Sequence, residues 1–223
     1  MQEFNARLAE KSDDFALLDE KYESAAFGRT QAPDSLYGAS LFILSKYRIL
    51  RSGIVLTPNT SVWADLLIGD DTVRVYNHLR STAIKAADNE YITNRDFISD
   101  TAREVKIRSI VSRLRENSIL RAAQVDSIAD VIADARARCI VCGDFNDTPM
   151  SYVYRTMAGG LNDAFSKSGS GYSHTFRGFF NTLRIDYVLC SDSFDPVSYE
   201  VPQVEYSDHL PVVVRLQKNL LNN

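Results

Sequence analysis

Three short polar clusters in the C-terminal half of the chain carry the residue types best suited to catalysis. Their sequences are Gly-Asp-Phe-Asn-Asp at 143–147, Arg-Ile-Asp-Tyr at 184–187 and Ser-Asp-His-Leu-Pro at 207–211. Carboxylate oxygens are preferred ligands of hard cations such as Mg²⁺, and such a cation can assist in-line attack on phosphorus. The clusters therefore predict metal-assisted chemistry at a phosphoryl group.

The first cluster places Asp144 and Asn146 two residues apart after an apolar segment. At the end of a strand, this spacing lets both side chains project to the same side. The carboxylate of Asp144 could then orient or deprotonate a water molecule, while the amide of Asn146 donates a hydrogen bond to a phosphoryl oxygen. The alternative is a structural one, an Asx turn that caps the following helix.

The second and third clusters supply Asp186, Asp208 and His209. Asp186 opens an apolar segment and His209 precedes another, so strand ends that lie side by side would bring these two residues into contact. A neighbouring carboxylate raises the pKa of an imidazole and fixes its tautomer. A structural surface pair is the alternative interpretation.

The apolar segments beside the clusters are expected to be strands, because they are short and bounded by turn residues. Strands are predicted at 41–44, 54–56, 62–68, 72–77, 140–142, 185–189 and 212–216. Residues 82–117 are polar and suit a helix, and Asn117 and Ser118 are typical of the cap of a second helix with an apolar stripe. Hairpin-like strand pairs outnumber helices, which favours two mixed sheets packed face to face with helices outside.

The composition is typical of one large globular domain. The chain has 223 residues, of which 45% are hydrophobic and 24% are charged, and its net charge is -4. A dedicated binder of duplex nucleic acid usually has a basic stripe, but acidic residues interrupt the basic ones between Arg103 and Arg121. A solvated helix face is therefore the favoured interpretation of that segment.

The three cysteines do not form a disulfide framework. Cys139 and Cys142 have the spacing of a zinc half-site, but no second pair accompanies them, so buried core thiols are favoured. No apolar stretch approaches the roughly 20 residues needed to cross a bilayer, and the polar start has no signal peptide. These features favour a soluble, cytoplasmic domain, and they leave open a membrane tether in upstream sequence.

Taken together, the three clusters resemble motifs of the endonuclease/exonuclease/phosphatase superfamily, which includes pancreatic-type DNases and exonuclease III-like enzymes. Upstream, the chain is also similar to the superfamily's metal-binding Gln-Glu motif at 2–3 and to its Gly-rich strand at 37–46. The segment 77–79 (Asn-His-Leu) resembles the superfamily's Asn-x-His-Leu motif, although the spacer residue is absent. The resemblance covers nearly the whole chain.

The resemblance implies a four-layer α/β/β/α sandwich of two mixed sheets, formed as a single domain by residues 1–223. In the superfamily, a first strand with a metal-holding Asn precedes the Gln-Glu motif, which in this chain begins at Gln2. The domain is therefore expected to be N-terminally incomplete. Glu3 would bind Mg²⁺ or Mn²⁺, with Asp208 near the metal, directly or through a water molecule.

The same resemblance implies roles for five further residues. Asp144 would position or activate the attacking water, and Asn146 would hold the phosphate. His209, paired with Asp186, would contact the phosphate or act as an acid or base. His78 would make a second phosphate contact that stabilises developing charge.

Two classes of function follow. The leading one is a divalent-metal-dependent phosphodiesterase or phosphatase, expected to be a monomer without an obligate protein partner. The rival is an inactive member of the same fold that serves as a binding module. Nucleic acid and a phospholipid head group are both open as substrates, whereas the segment 183–187 lacks the Trp-Cys-Asp-Arg sequence typical of inositol-polyphosphate 5-phosphatases.

Overall fold

The computed structural model describes residues 3–4, 22–28, 40–55, 61–79, 86–134 and 138–219. The strands are β1 (Glu3–Phe4), β2 (Ser24–Gly28), β3 (Ser40–Ser45), β4 (Ile49–Ile54), β5 (Ser61–Ile68), β6 (Asp71–Leu79), β7 (Cys139–Asp144), β8 (Asn162–Asp163), β9 (Asp186–Cys190), β10 (Phe194–Glu200) and β11 (Val213–Lys218). The helices are α1 (Ala86–Thr93), α2 (Arg103–Asp134), α3 (Tyr152–Ala158) and α4 (Ala164–Ser168), with short 3-10 helices at Asp96–Ile98 and Phe179–Asn181. Within these ranges, no helix is both long enough and apolar enough to span a membrane.

The largest sheet has six strands in the order β4-β5-β6-β7-β9-β8. Strands β6 and β7 run parallel and the other neighbours run antiparallel, so this sheet is mixed, as predicted. The hairpin between β5 and β6 turns at Gly69, whose φ of 63° favours glycine. A parallel pair needs a long crossover connection, and α2 lies in the chain between β6 and β7.

Two smaller antiparallel sheets cover one face of the large sheet. One has the strand order β1-β3-β2, and the other pairs β10 with β11. The first packs Leu41 against Val62, and the second packs Phe194 against Val73. The sequence predicted two mixed sheets, but the described residues form three, of which only the large one is mixed, because no described strand joins the two smaller sheets.

Helices α2 and α3 pack on the opposite face of the large sheet. Helical spacing brings one apolar stripe from each helix to this interface, and alternation in the strands brings every second residue to meet it. The buried contact residues are Val125, Ile128, Ile132, Val153 and Met157 from the helices, and Tyr76, Val141, Tyr187 and Leu189 from the strands. The alternate strand residues face the smaller sheets, and this second face carries the candidate site.

Candidate active site

Strands β7 and β9 place two carboxylates side by side. They pair antiparallel, with Asp144 at the end of β7 opposite Asp186 at the start of β9. Both residues are buried, and both line a cavity of about 660 Å³ whose other walls include β3 and β6. The neighbours Phe145 and Tyr187 belong to the core on the helix-covered face, as the alternation of strand residues requires.

His209 joins Asp186 from the loop before β11. Its Nδ1 lies 3.0 Å from Oδ2 and 3.2 Å from Oδ1 of Asp186, so the contact expected from the sequence is present. One ligand atom from each of Asp144, Asp186 and His209 lies within 4.8 Å of the others. These three residues are called the acid–histidine group below.

The acid–histidine group favours a protonated imidazole. Burial lowers the pKa of His209, but the hydrogen bond and charge of Asp186, together with the charges of Asp144 and Asp208, outweigh that effect and raise the pKa to about 9. His209 is therefore positively charged at neutral pH. Because Asp186 engages Nδ1, Nε2 is the ring nitrogen that can donate a hydrogen bond to a bound anion.

Asn146 holds the carboxylate of Asp144 in place. Its backbone N–H donates to Asp144 Oδ1 at 2.7 Å, and its side-chain amide donates to Asp144 Oδ2. This turn needs a φ of 49° at Asn146, a left-handed conformation that asparagine tolerates. The local hydrogen bonds of an Asx turn are thus present, whereas Ser151 supplies the cap of α3.

Gly143 allows the backbones of β6 and β7 to approach closely just before Asp144. Its φ is 145°, a value that strains any residue with a Cβ. A Cβ built at this position would overlap the backbone carbonyl oxygen of His78, which is its partner in the parallel register. Glycine is therefore required for the strand end that presents Asp144.

His78 is not brought to the acid–histidine group. The residue is 1% exposed, and its ring meets that of Phe145 edge-on, with 5.5 Å between the centroids. Its neighbour Asn77 lines the cavity instead and donates from Nδ2 to the carbonyl oxygen of Phe42 at 2.8 Å. With no spacer residue between them, Asn77 and His78 fall on opposite faces of β6, so only one of them can face the cavity.

Of the two predicted metal ligands, the structure describes Asp208 in full and only the backbone of Glu3. Asp208 is exposed; its side chain accepts a hydrogen bond from the Ser207 hydroxyl, and its carbonyl oxygen accepts one from the Arg177 N–H. The backbone of Glu3 pairs with Leu41 of β3, the strand that forms one wall of the cavity. The side chain of Glu3 and the whole of Gln2 lie outside the described residues.

The donor set at the cavity, which is rich in carboxylate oxygens, fits a hard cation. Asp144 and Asp186 offer carboxylate oxygens, which such cations prefer, and His209 offers a ring nitrogen beside them. Cys142 also lines the cavity, but burial raises the pKa of its thiol to about 11. A thiol that keeps its proton is a poor ligand, which agrees with the interpretation of the cysteines as core residues.

Two buried residues near the site, Arg184 and Thr175, were not predicted from the sequence as site residues. Arg184 donates from Nη1 and Nη2 to the two carboxylate oxygens of Asp163, at 3.2 and 2.9 Å. Thr175 is fully buried. The one available signal for Arg184 was a charged residue directly before an apolar strand, since such a charge needs a partner.

Comparison with solved structures shows the same fold in several proteins of low sequence identity. A humanized TDP2 from D. rerio has a TM-score of 0.64 and 16% identity, over 97% of this chain and 84% of that one. The endonuclease/exonuclease/phosphatase from Beutenbergia cavernae DSM 12333 has a TM-score of 0.63 and 20% identity, over 96% of this chain and 57% of that one. The human Nocturnin catalytic domain has a TM-score of 0.59 and 20% identity, over 95% of this chain and 78% of that one.

At the level of sequence, no curated protein matches the chain. The sequence profile of the Endonuclease/Exonuclease/phosphatase family, however, matches residues 1–209. That range includes the acid–histidine group and all six strands of the large sheet. The chain therefore belongs to the Endonuclease/Exonuclease/phosphatase family.

Proposed function

We propose that the protein hydrolyses phosphoester bonds with the help of Mg²⁺ or Mn²⁺. The observation that carries this proposal is the acid–histidine group beside the cavity, where two carboxylates lie close to an imidazole. A carboxylate can accept a proton from an attacking water, and an imidazolium can donate to the phosphoryl group. Family membership supports the same reaction class, and a solved structure of similar fold is described as a 3' phosphatase bound to a product DNA hairpin.

Asp144 is the proposed group that orients the attacking water and accepts its proton. Both of its oxygens receive hydrogen bonds from Asn146, which fixes the plane of the carboxylate at the strand end. A side-chain amide has two N–H donors, so Asn146 can hold Asp144 and contact a phosphoryl oxygen at the same time. Local hydrogen bonding and catalysis are therefore compatible roles for this turn.

His209 is the proposed donor to the phosphate. Asp186 accepts from Nδ1, which keeps the ring protonated and leaves Nε2 as the donor toward the substrate. Electrostatic donors that are fixed before the reaction stabilise charge that develops on the phosphoryl oxygens. In this scheme Asp186 acts through His209 and does not contact the substrate.

A divalent cation, when bound, would neutralise charge on the phosphoryl oxygens. Glu3 is its proposed ligand, with Asp208 nearby, because their motifs suit a hard cation and because Glu3 pairs beside the cavity wall formed by β3. A phosphate contact by His78 stays a prediction, and it would require the ring to leave its packed position against Phe145.

A hydrolysis screen tests the proposal. Bis-p-nitrophenyl phosphate, p-nitrophenyl phosphate, plasmid DNA, an abasic oligonucleotide and sphingomyelin would each be incubated with Mg²⁺, Mn²⁺ or EDTA. We expect metal-dependent hydrolysis of at least one ester and its loss in Asp144→Asn. The matched control is Asp195→Asn, which makes the same change at an exposed position on β10.

Two results would overturn the proposal as a whole. One is a folded protein that hydrolyses none of these esters with either metal, which would favour the binding module. The other is hydrolysis that is equally fast in EDTA, whereas an Asp144→Asn variant as active as Asp195→Asn would overturn only the role of Asp144. The pattern of esters hydrolysed would also separate nucleic acid from a phospholipid head group as the substrate.

A further inference from the structure

Thr175 links the two segments that carry Asp186 and His209. Its buried hydroxyl accepts hydrogen bonds from the backbone N–H groups of Ile185 and Asp186, each at 3.0 Å. These two amides lie just before and at the first residue of β9, where the strand presents Asp186 to the cavity. The position of the Asp186 backbone therefore depends directly on one threonine side chain.

The backbone of Thr175 makes the second half of the link. Its carbonyl oxygen accepts from the N–H of Leu210 at 2.7 Å, and Leu210 directly follows His209. Its own N–H donates to the carbonyl oxygen of Leu183 at 2.9 Å, just before β9. One residue thus holds both the segment that ends at Asp186 and the segment that begins at His209.

Phe176, the next residue, reinforces this arrangement. It forms isolated bridges with both Leu183 and His209. Its ring lies 5.1 Å from the imidazole of His209, measured between centroids. The side chain of His209 is therefore packed from the same short segment that fixes the backbone of Asp186.

We propose that Thr175 is a positioning residue, which sets the separation between Asp186 and His209 through its hydroxyl group. The proposal rests on the proposed function only for its effect on rate, because the geometry it predicts does not depend on any reaction. Valine has nearly the shape of threonine but accepts no hydrogen bond, so Thr175→Val would leave two buried N–H groups without this acceptor. The start of β9 would then shift and carry Asp186 away from His209.

The alternative is that Thr175 only stabilises the fold, and the far end of β9 offers a matched control. Ser191, directly after β9, is also buried, and its hydroxyl accepts from the N–H of Cys139 at 3.1 Å. Cys139 begins β7, at the end opposite Asp144. Ser191→Ala therefore removes a buried hydroxyl acceptor at the other end of β9 without touching the site.

The experiment compares Thr175→Val, Thr175→Ser and Ser191→Ala with the unchanged protein. With the best ester from the hydrolysis screen, we expect Thr175→Val to lower kcat about 100-fold with KM little changed, as misplacement of a catalytic group does. Thr175→Ser restores the hydroxyl and should recover most of kcat. Ser191→Ala should lower the melting temperature as Thr175→Val does, but it should leave kcat unchanged.

A crystal structure of Thr175→Val gives a readout that does not need activity. We expect both distances from His209 Nδ1 to the Asp186 carboxylate oxygens to exceed the present 3.0 and 3.2 Å by about 1 Å, the displacement that typically disables a site. An unchanged geometry with a kcat equal to that of Ser191→Ala would overturn the proposal. If the protein proves inactive toward every ester, the distance alone decides between the two roles.

Hydrogen exchange of the unchanged protein covers the case in which Thr175→Val does not fold. The amides of Asp186 and Leu210 both bond to Thr175 and should open together, with similar protection. Fast exchange at Leu210 beside slow exchange at Asp186 would show that Thr175 does not join the two segments, and would contradict the proposal.

Discussion

Two ion pairs involve residues of the same short segment of chain but differ in their exposure to solvent. Arg184 pairs with Asp163, and two residues later Asp186 pairs with His209. The first pair is sealed, with side chains 7% and 4% exposed, whereas the second faces the cavity, and His209 is 30% exposed. The rings around the guanidinium of Arg184, at 4.7 to 5.9 Å from its carbon, are those of Tyr154, Phe165 and Tyr187.

The difference shows how one segment serves both stability and chemistry. Burial lowers the pKa of Arg184, but the hydrogen bond and charge of Asp163 outweigh that effect and raise it, so the guanidinium keeps its charge. His209 has a pKa of about 9 and can lose its proton within the range of ordinary buffers. The sealed pair therefore serves to anchor the start of β9. The open pair can exchange a proton and can bind a ligand in the cavity.

Breaking the sealed pair should have the largest effect. Arg184→Met leaves the carboxylate of Asp163 buried without its cation, and removal of one partner from a buried pair typically costs about 3–5 kcal/mol. Urea denaturation would measure the loss. Arg51→Met is the matched control, because Arg51 is 72% exposed in its pair with Asp65, and exposed pairs contribute about 0–1 kcal/mol. A similar cost for both variants would show that burial of the Arg184–Asp163 pair does not make it important for stability.

Breaking the open pair should affect activity far more than stability. His209→Ala should reduce hydrolysis about 100-fold or more, which is the usual loss for one transition-state donor. Asp186→Asn should cost about as much, and the double variant little more, because the two groups act as a unit. Kinetics of the two single variants and the double variant form the test. Strictly additive losses would leave Asp186 as a structural carboxylate at a strand end.

Binding of a divalent metal should depend on residues around the cavity. Of the two ion pairs, only the open pair faces this cavity. Calorimetry with Mg²⁺ should show binding that weakens at least about tenfold in Glu3→Gln, the lower end of losses around metal sites. Glu200→Gln, at the exposed end of β10, makes the same change away from the cavity and should leave the affinity unchanged. Equal affinity in both variants would remove Glu3 from the metal site.

The smallest expected effect is a pH dependence of folding stability, which the open pair can produce and the sealed pair cannot. The pKa of His209 rises from the ordinary value of 6.5 to about 9 on folding, so its stabilisation is complete below pH 6.5 and is lost as the pH rises through 9. After a discount for the exposure of the ring, the change amounts to about 1–2 kcal/mol.

Urea denaturation in EDTA at pH 6.5, 8 and 9.5 would measure this dependence. The gap in stability between the unchanged protein and His209→Gln should shrink with rising pH. A constant gap would show that the proton on His209 does not contribute to folding. Arg184→Met should show no such narrowing, because Arg184 keeps its proton throughout this range.

Apolar runs made much of the large sheet predictable. The strands expected at 62–68, 140–142 and 185–189 appear as β5, β7 and β9 with boundaries within two residues. Strand β10 was not predicted, because it contains Pro196 and is half exposed, and the register shifts just after that proline. The cap expected at Asn117 and Ser118 was wrong, since α2 runs through both, and the Ser118 hydroxyl accepts from Arg121 instead.

Site residues at strand ends could be predicted from the sequence. Residues that act through a single hydrogen bond could not. Contact between Asp186 and His209 followed from two polar clusters beside two apolar segments, and the structure confirms that contact. The placement of His78 did not follow, because one missing spacer residue moves a side chain to the other face of a strand. Thr175 was invisible for another reason: a buried hydroxyl that accepts from distant amides leaves no periodic pattern in sequence.

Gly143 has a consequence for mutational maps of this protein. Every amino-acid replacement there adds a Cβ, which would collide with the carbonyl oxygen of His78 across the parallel strands. A library scored for hydrolysis would therefore rank Gly143 beside Asp144 as equally intolerant, although it carries no functional group. A second score, for the amount of folded protein, would separate the two causes. Replacement of Gly143 would reduce the amount of folded protein, whereas replacement of Asp144 would remove the proposed catalytic carboxylate from a folded protein.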